Sequence, residues 1–317
     1  MNLKSITFAF NKFNLERKKN AGQPIKFYNF WDQNLEDNWF RKFMINRNFH
    51  KKYPKLDISF FSVFGSGYTI NLNQSKVKVF FTGENVRHLS YVRYNDHALN
   101  KKIDLALGFE YIKDDRYFRF PLWILFVFPP SLNEKGIKEK CDELSIYRPF
   151  KRDKFAALLA SHDLNGLRGS IFEAMNSIEM VDCGGKFLHN NDDLWKTYND
   201  HKLHYLRNYK FNICPENSNT TGYVTEKLFQ SIEAGCIPIY WGSDNKPETE
   251  IINQDAVMFW KNEGDNTKLL EEIRKLNNSP TLLNEFIAQP RLLPNAHEVI
   301  NKMYNDLEMR LHTILST

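Results

Sequence analysis

The chain has 317 residues, 42% of them hydrophobic and 26% charged, and a formal net charge of +5. That length accommodates two domains of ordinary size, and the composition is globular rather than fibrous or disordered. The charge is too mild for a nucleic-acid stripe, so no nucleic-acid partner is expected, but it suits an anionic ligand.

Along the chain, Met1–Lys19 carries charge throughout and lacks the continuous apolar core of a signal peptide. Ile25–Trp31 (IKFYNFW) reads as a first strand, and Asp32–Met44 as a helix with Trp39, Phe40 and Phe43 on one side. Leu56–Phe64 is a second apolar strand; the Gly65-Ser66-Gly67 that ends it is a strand-to-loop turn and not GxGxxG. Ser75–Thr82 is a third strand, stopping at Gly83 with Glu84 and Asn85 next. Ligands of open α/β sheets bind beyond the carboxyl ends of strands, so Glu84 stands where a functional carboxylate is expected; the plain alternative is a solvated turn residue. Asp104–Glu110 is another strand, Asp114–Tyr117 a charged turn, and Phe120–Pro130 an apolar core run. That run is shorter than the roughly 20 residues of a membrane-spanning helix. Pro129–Lys140 reads as a loop or linker, which places a first domain at 1–150 and a second at 151–317.

The second domain opens with a strand at Phe155–Ala160, a polar turn, and a helix from Leu167 to Ile178 that Asn165 can cap. Arg168 sits in its first turn. Val181–Asn191 is a loop or short strand, and Leu194–Leu206 a polar helix. Tyr209–Cys214 is again apolar, followed by a polar loop, a helix carrying Val224, Leu228, Phe229 and Ile232, a terminating Gly235, and the strand Cys236–Trp241. This is a βαβ unit with parallel strands. Lys227 lies in its first helical turn, where the macrodipole disfavours a cation unless an anion occupies that end; a lysine bent back to solvent is the alternative. Two such cations, Arg168 and Lys227, suggest two strand-to-helix turns converging on a polyanion such as a pyrophosphate. Ala256–Phe259 is a short strand and Asn266–Asn277 a helix. The last helix aligns Val299, Ile300, Met303, Tyr304, Leu307, Leu311 and Ile314, a stripe suited to packing back onto the first domain.

The four cysteines, Cys141, Cys183, Cys214 and Cys236, have no CxxC spacing, so reduced buried thiols are expected rather than zinc or disulfides. Asp114-Asp115 and Asp192-Asp193 resemble metal-holding acid pairs but sit in ordinary polar turns, and His201 and His204 lie on a polar helix. No metal site is expected. A cytoplasmic protein follows, with peripheral membrane association left open.

FFTGEN (Phe80–Asn85), NGLRGSIFEAMNSIE (Asn165–Glu179) and the whole of Tyr209–Gly242 resemble the α1,3/4-fucosyltransferases, glycosyltransferase family 10, in their bacterial form. The signature is Glu216-Asn217, Tyr223, Val224-Thr225-Glu226-Lys227, a helix, and a strand ending Pro238–Gly242; DRYFRFPLW (Asp115–Trp123) and IKFYNFW also resemble the family. The resemblance implies a GT-B fold, two Rossmann-like domains facing across a cleft, the first binding acceptor and the second donor. It implies transfer of L-fucose from GDP-fucose, with inversion and with no cofactor or required metal. The acceptor would be the 3-hydroxyl, or the 4-hydroxyl, of GlcNAc or Glc in N-acetyllactosamine- or lactose-type glycans, giving Lewis-antigen-like products. By position, Glu84 matches the general base. Arg168, Asn217 and Lys227 match residues at the diphosphate. Tyr223, Val224 and Glu226 match residues lining the donor, with Glu226 also able to assist the cationic sugar ring. Pro215 and Ser218–Gly222 depart from the pattern near the donor. A transferase for another nucleotide-activated deoxysugar, and a non-catalytic GDP- or glycan-binding relative, stay open as alternatives. Acceptor choice is expected to depend on segments near Asp32–Trp39 and Val86–Tyr94.

Overall fold

The computed structural model describes residues 3–31, 34–86, 101–146 and 151–317. The backbone packs as two compact units, Met1–Asn133 with Ile300–Thr317, and Glu134–Val299. The junction therefore falls ahead of position 150. The reason is a helix, Glu134–Ser145, where a linker was expected: it buries Ile137, Cys141 and Leu144, and its Lys140 pairs with Glu233 at 2.7 Å inside the second unit.

The first unit holds a parallel sheet of β1 (Ile25–Tyr28), β2 (Ile58–Phe61), β3 (Val77–Phe81), β4 (Leu105–Gly108) and β5 (Tyr117–Arg119), side by side in chain order. Both faces are covered, which is why most of these strands read as continuous apolar runs rather than alternating ones. On one face Phe27 stacks on Phe60 at 5.3 Å, and Phe40 packs on Phe60 and Phe81, each at 5.1 Å. Tyr28, Phe61 and Phe80 point the other way, into a cluster with Phe13 and Ile70.

Two local readings are corrected here, the charged turn at 114–117 and the bounds of the helix expected over 32–44, while the apolar run at 120–130 is core as expected. The charged turn continues into β5, because the bond from Tyr117 N to Asp114 O closes the turn and frees Tyr117–Arg119 to pair with β4. The apolar run after it forms the helix Leu122–Val127. The helix expected over 32–44 is Trp39–Asn46, with Asn38 as its cap accepting from Phe40 N at 3.0 Å. Residues 32–33 and 87–94 of the expected acceptor segments lie outside the described residues.

The final helix, Ala296–Ser316, returns to the first unit as its apolar stripe required. Tyr304 meets Trp39 edge-on at 5.6 Å, and the Tyr304 hydroxyl and Trp39 Nε1 each donate to Phe128 O at 2.9 Å. Arg47 Nε binds Glu308 Oε2 at 2.8 Å alongside.

The second unit is a parallel sheet of β6 (Lys154–Leu158), β7 (Val181–Cys183), β8 (Tyr209–Ile213), β9 (Ile237–Tyr240) and β10 (Met258–Phe259) in the order β7-β6-β8-β9-β10. The chain steps outward from β6 to β7, then reverses to place β8 on the other side of β6. Ile171 and Met175 of the helix after β6 join the core on one face. Ala234 of the helix after β8 joins the core on the opposite face. The polar helix expected over 194–206 is two short helices, Asp193–Lys196 and Lys202–Leu206, broken where Asn199 and Asp200 take φ of 48° and 62°. Among the described residues no helix is long and apolar enough to cross a membrane.

Candidate functional site

A sheet whose strand order reverses opens a crevice at the carboxyl ends of the two strands that flank the reversal, because the following loops diverge to opposite faces. In the second unit those strands are β6 and β8. The loop after β6 ends at Gly166, whose φ of 75° lies in the left-handed region, and the helix Leu167–Asn176 begins there. Gly166 holds the cap position, while Asn165 Oδ1, one residue earlier, accepts from Leu167 N at 3.3 Å. Arg168 follows in the first turn, only 7% exposed. Its guanidinium donates to His162 O, and Nη2 donates to Asn217 Oδ1 at 2.7 Å. Asn217 belongs to the loop after β8, so the two loops meet over the reversal. Burial lowers the Arg168 pKa against the opposing pull of Asp163, Glu216 and Tyr223; a guanidinium still keeps its charge at neutral pH.

The loop after β8 leads to the helix Glu226–Ala234, with Thr225 at the N-cap position. Thr225 makes no side-chain cap bond, because its hydroxyl is engaged elsewhere. It donates to Glu216 Oε2 at 2.7 Å, while Thr225 N donates to Glu216 Oε1 at 2.7 Å. Lys227 Nζ donates to Glu216 Oε2 at 3.2 Å and to Thr225 Oγ1 at 2.9 Å. The Glu216 side chain is fully buried and that of Lys227 is 24% exposed. Burial alone would lower the Lys227 pKa, but the charges of Glu216 and Glu226 outweigh it, against opposition from Arg168, and the net shift is upward. Lys227 is therefore protonated.

The lysine expected to await an anion thus has a protein partner already, and the two cations hold different partners: Arg168 with Asn217, Lys227 with Glu216. Glu226, half-buried, is the first residue of the helix, where an acid is favoured. Tyr223 and Val224 precede it, each 1% exposed. Tyr223 is close enough to act on the charge of Arg168, and Glu226 on that of Lys227. All six residues expected in this unit accordingly lie on the two loops and first turns beyond β6 and β8.

Sequence reasoning gave no role to Glu216, Thr225 or Asp244. Glu216 was visible as half of the Glu216-Asn217 pair ending an apolar strand, but its burial was not. Asp244 binds the loop at 218–222: its N–H donates to Asn219 Oδ1 at 2.7 Å, Asn219 Nδ2 returns a bond to Oδ1 at 3.0 Å, and the Thr221 hydroxyl donates to Oδ2. Gly222 N donates to Ser243 Oγ at 3.0 Å. The turn that presents these groups is strained, since Ser243, Asp244 and Asn245 take φ of 50°, 52° and 53° in succession without a glycine among them.

Glu84 lies in the first unit, at the carboxyl end of β3. Thr82 Oγ1 donates to Glu84 O at 2.9 Å and accepts from Glu84 N at 3.1 Å, closing a tight turn that leaves Glu84 half-buried. Both acidic pairs have cationic neighbours. Asp192 binds Lys196 at 2.6 Å and His189 at 2.8 Å, Asp193 binds Lys154 at 2.9 Å, and Asp114 faces Arg116 at 3.5 Å. Among the described residues no group of three His, Cys, Asp or Glu side chains is placed to hold a metal ion.

Two family models match this chain: the alpha-(1,3)-fucosyltransferase FucT N-terminal domain over residues 25–126, and the glycosyltransferase family 10 (fucosyltransferase) C-terminal region over residues 149–298. The chain belongs to glycosyltransferase family 10. Alpha-(1,3)-fucosyltransferase FucT of Helicobacter pylori is 32% identical over a 214-residue alignment that covers 59% of this chain and 42% of that protein. Alpha-(1,3)-fucosyltransferase B of Drosophila melanogaster is 25% identical over 237 residues, 70% of this chain and 49% of that protein. This family-10 chain thus spans about half or less of the length of those relatives. A crystal structure of alpha1,3-fucosyltransferase with GDP-fucose is 25% identical with a TM-score of 0.56, covering 83% of this chain and 78% of that one. A second, with GDP, is 22% identical with a TM-score of 0.57 over 94% and 92% of the respective chains. The two parallel α/β sheets of the family-10 chain are those of the GT-B fold of these structures.

Proposed function

We propose that this family-10 protein transfers L-fucose from GDP-fucose, with inversion, to the 3-hydroxyl of GlcNAc or Glc in N-acetyllactosamine- or lactose-type glycans, and that it needs no divalent metal. The observation that carries the proposal is the meeting of Arg168 with Asn217 over the strand reversal, beside Lys227 at a helix N-terminus. Transfer builds negative charge on the departing GDP and positive charge on the fucose ring. Arg168 grips phosphate oxygens through its planar fork, and Lys227 adds a point charge within the partly positive end of the Glu226–Ala234 helix. These charges are held in place before donor arrives, so little reorganisation is needed as charge develops. Asn217 offers an amide donor beside Arg168. Tyr223 and Val224 shape the wall toward the sugar and ribose, and Glu226 accepts from sugar hydroxyls and favours the cationic ring. Glu84 takes the proton of the acceptor hydroxyl as general base. The family models and the GDP-fucose complex of the similar α1,3-fucosyltransferase support this choice of donor. A cytoplasmic site of action belongs to the same reading, supported by four buried free thiols.

The test is a transfer assay with radiolabelled GDP-fucose, GDP-mannose and UDP-sugars over a glycan array, with linkage read from the product by NMR. Transfer from GDP-fucose alone, in α1,3 linkage and undiminished by EDTA, is expected. Preference for another nucleotide sugar overturns the donor assignment, and a complete, metal-reversible loss in EDTA overturns metal independence.

A further inference from the structure

We propose that Glu216 is a positioning residue that aims Lys227 at the donor diphosphate, an inference that rests on the reading of Lys227 as a phosphate ligand. An ammonium has three N–H donors in a fixed tetrahedral fan. Lys227 gives one to Glu216 Oε2 at 3.2 Å and one to Thr225 Oγ1 at 2.9 Å. Fixing two donors fixes the third, which is then left for the anion. Without those two anchors the lysine keeps its charge and loses its direction, since a four-carbon stem has ample rotamer freedom.

The carboxylate is held firmly enough for this task. Its Oε1 accepts Thr225 N and its Oε2 accepts the Thr225 hydroxyl, both at 2.7 Å, in addition to the Lys227 bond. Glu216 N donates to Trp241 O at 2.8 Å, which ties its backbone to the end of β9. A Cβ at Gly242 would lie 2.7 Å from Glu216 Cγ, so the absence of a side chain there makes room for the glutamate. An acid near an anion site would ordinarily repel the ligand. Here the carboxylate is fully buried and committed to three donors, so its charge serves to raise the Lys227 pKa and not to face the donor. Burying such a pair costs desolvation that the attraction roughly repays, which makes orientation a better account of it than stability. Thr225 is the link, giving up its helix-capping bond to join Glu216 and Lys227.

The experiment is a double-mutant cycle read by calorimetric binding of GDP and of guanosine to the full chain. GDP binding by the wild type comes first; its absence would defeat the donor assignment before any variant is compared. Glu216→Gln should weaken GDP roughly tenfold or more and leave guanosine unchanged. In a Lys227→Ala background the same substitution should change GDP affinity by less than about twofold, because the group it positions is gone. Equal losses in both backgrounds, or equal losses for GDP and guanosine, would make Glu216 merely structural and overturn the proposal. Should circular dichroism show Glu216→Gln to be unfolded, Thr225→Val decides. A smaller loss that vanishes in the Lys227→Ala background supports positioning, and an additive loss overturns it.

Discussion

The two sheets have the same strand number and direction but differ in order, and that difference decides where polar groups collect. In the first unit the strands lie in chain order, β1 to β5, with no reversal. Just beyond β3 it places Glu84, held in a turn by its own neighbour Thr82. In the second unit the order reverses between β6 and β8. Two loops part there, and Arg168 meets Asn217 across a separation of 49 residues while Glu216 pairs with Lys227. A reversal supplies a crevice with charged groups from two sides, which suits a polyanionic donor. A sequential sheet supplies one strand end at a time.

That contrast breaks most sharply at Glu84. Glu84→Gln should cut transfer roughly 10²- to 10⁴-fold, the usual worth of a general base, while GDP affinity stays unchanged because the residues proposed to hold the donor are in the other unit. A strong loss of GDP binding on calorimetry would remove the division of labour. Arg168→Ala should do the reverse and weaken GDP roughly 10- to 100-fold, the loss of charge-assisted bonds to phosphate. Guanosine, which lacks the diphosphate, should bind as before; a parallel loss would show that Arg168 supports the fold rather than the ligand.

How much of this could be read beforehand follows from the same physics. Strands buried on both faces leave continuous apolar runs, so β1, β2, β3, β6, β8 and β9 were legible. So was the end of the second unit's key helix, since Gly235 takes a φ of 77° and donates to Ile232 O as a C-terminal glycine should. β5 was not legible, because three residues including Arg119 at a sheet edge carry no period. The helix Glu134–Ser145 buries only three side chains and reads as polar. Arg168 and Lys227 were legible as helix-start cations, but their partners were not. The 49-residue step from Arg168 to Asn217 exists only once β8 lies against β6. The Glu216–Lys227 pair depends on burial of an acid that sequence alone would leave in solvent.

Glycines sharpen the comparison at the level of stability. Gly242 has a φ of 142°, and an added Cβ would fall 2.9 Å from Glu216 Cβ as well as 2.7 Å from Glu216 Cγ, close to the backbone of a seated residue. Gly242→Ala should therefore destabilise by about 1–3 kcal/mol and weaken GDP with it. Gly83 ends β3 of the first unit. The three atoms nearest to an added Cβ there would be Leu122 side-chain carbons, the closest at 2.5 Å, and Leu122 is half-buried and able to turn. Gly83→Ala should cost less in a urea melt; an equal or larger cost would mean that the first unit's turn is the more tightly built.

The smallest expected effect is a difference in sign between two histidines. In the first unit burial lowers the His312 pKa, and Lys52 adds to this against the pull of Glu308. The ring stacks on Phe49 at 4.3 Å, and the Tyr53 hydroxyl lies 3.0 Å from Nδ1. In the second unit the bond to Asp192 raises the pKa of His189, helped by Gly185 O. The unfolded chain takes up its histidine protons near pH 6.5. For His312 the folded form protonates later than the unfolded one, so its contribution is complete above pH 6.5 and is lost as the pH falls through the lowered value. For His189 the order is opposite: its contribution is present below pH 6.5 and fades as the pH rises through the raised value. Ring NMR titrations should place His312 below 6.5 and His189 above it. His312→Phe, which keeps the stack on Phe49 and cannot titrate, should lose less stability than wild type between pH 7 and pH 5. If the variant and wild type lose the same amount, protonation of His312 is not what acid acts on in the first unit.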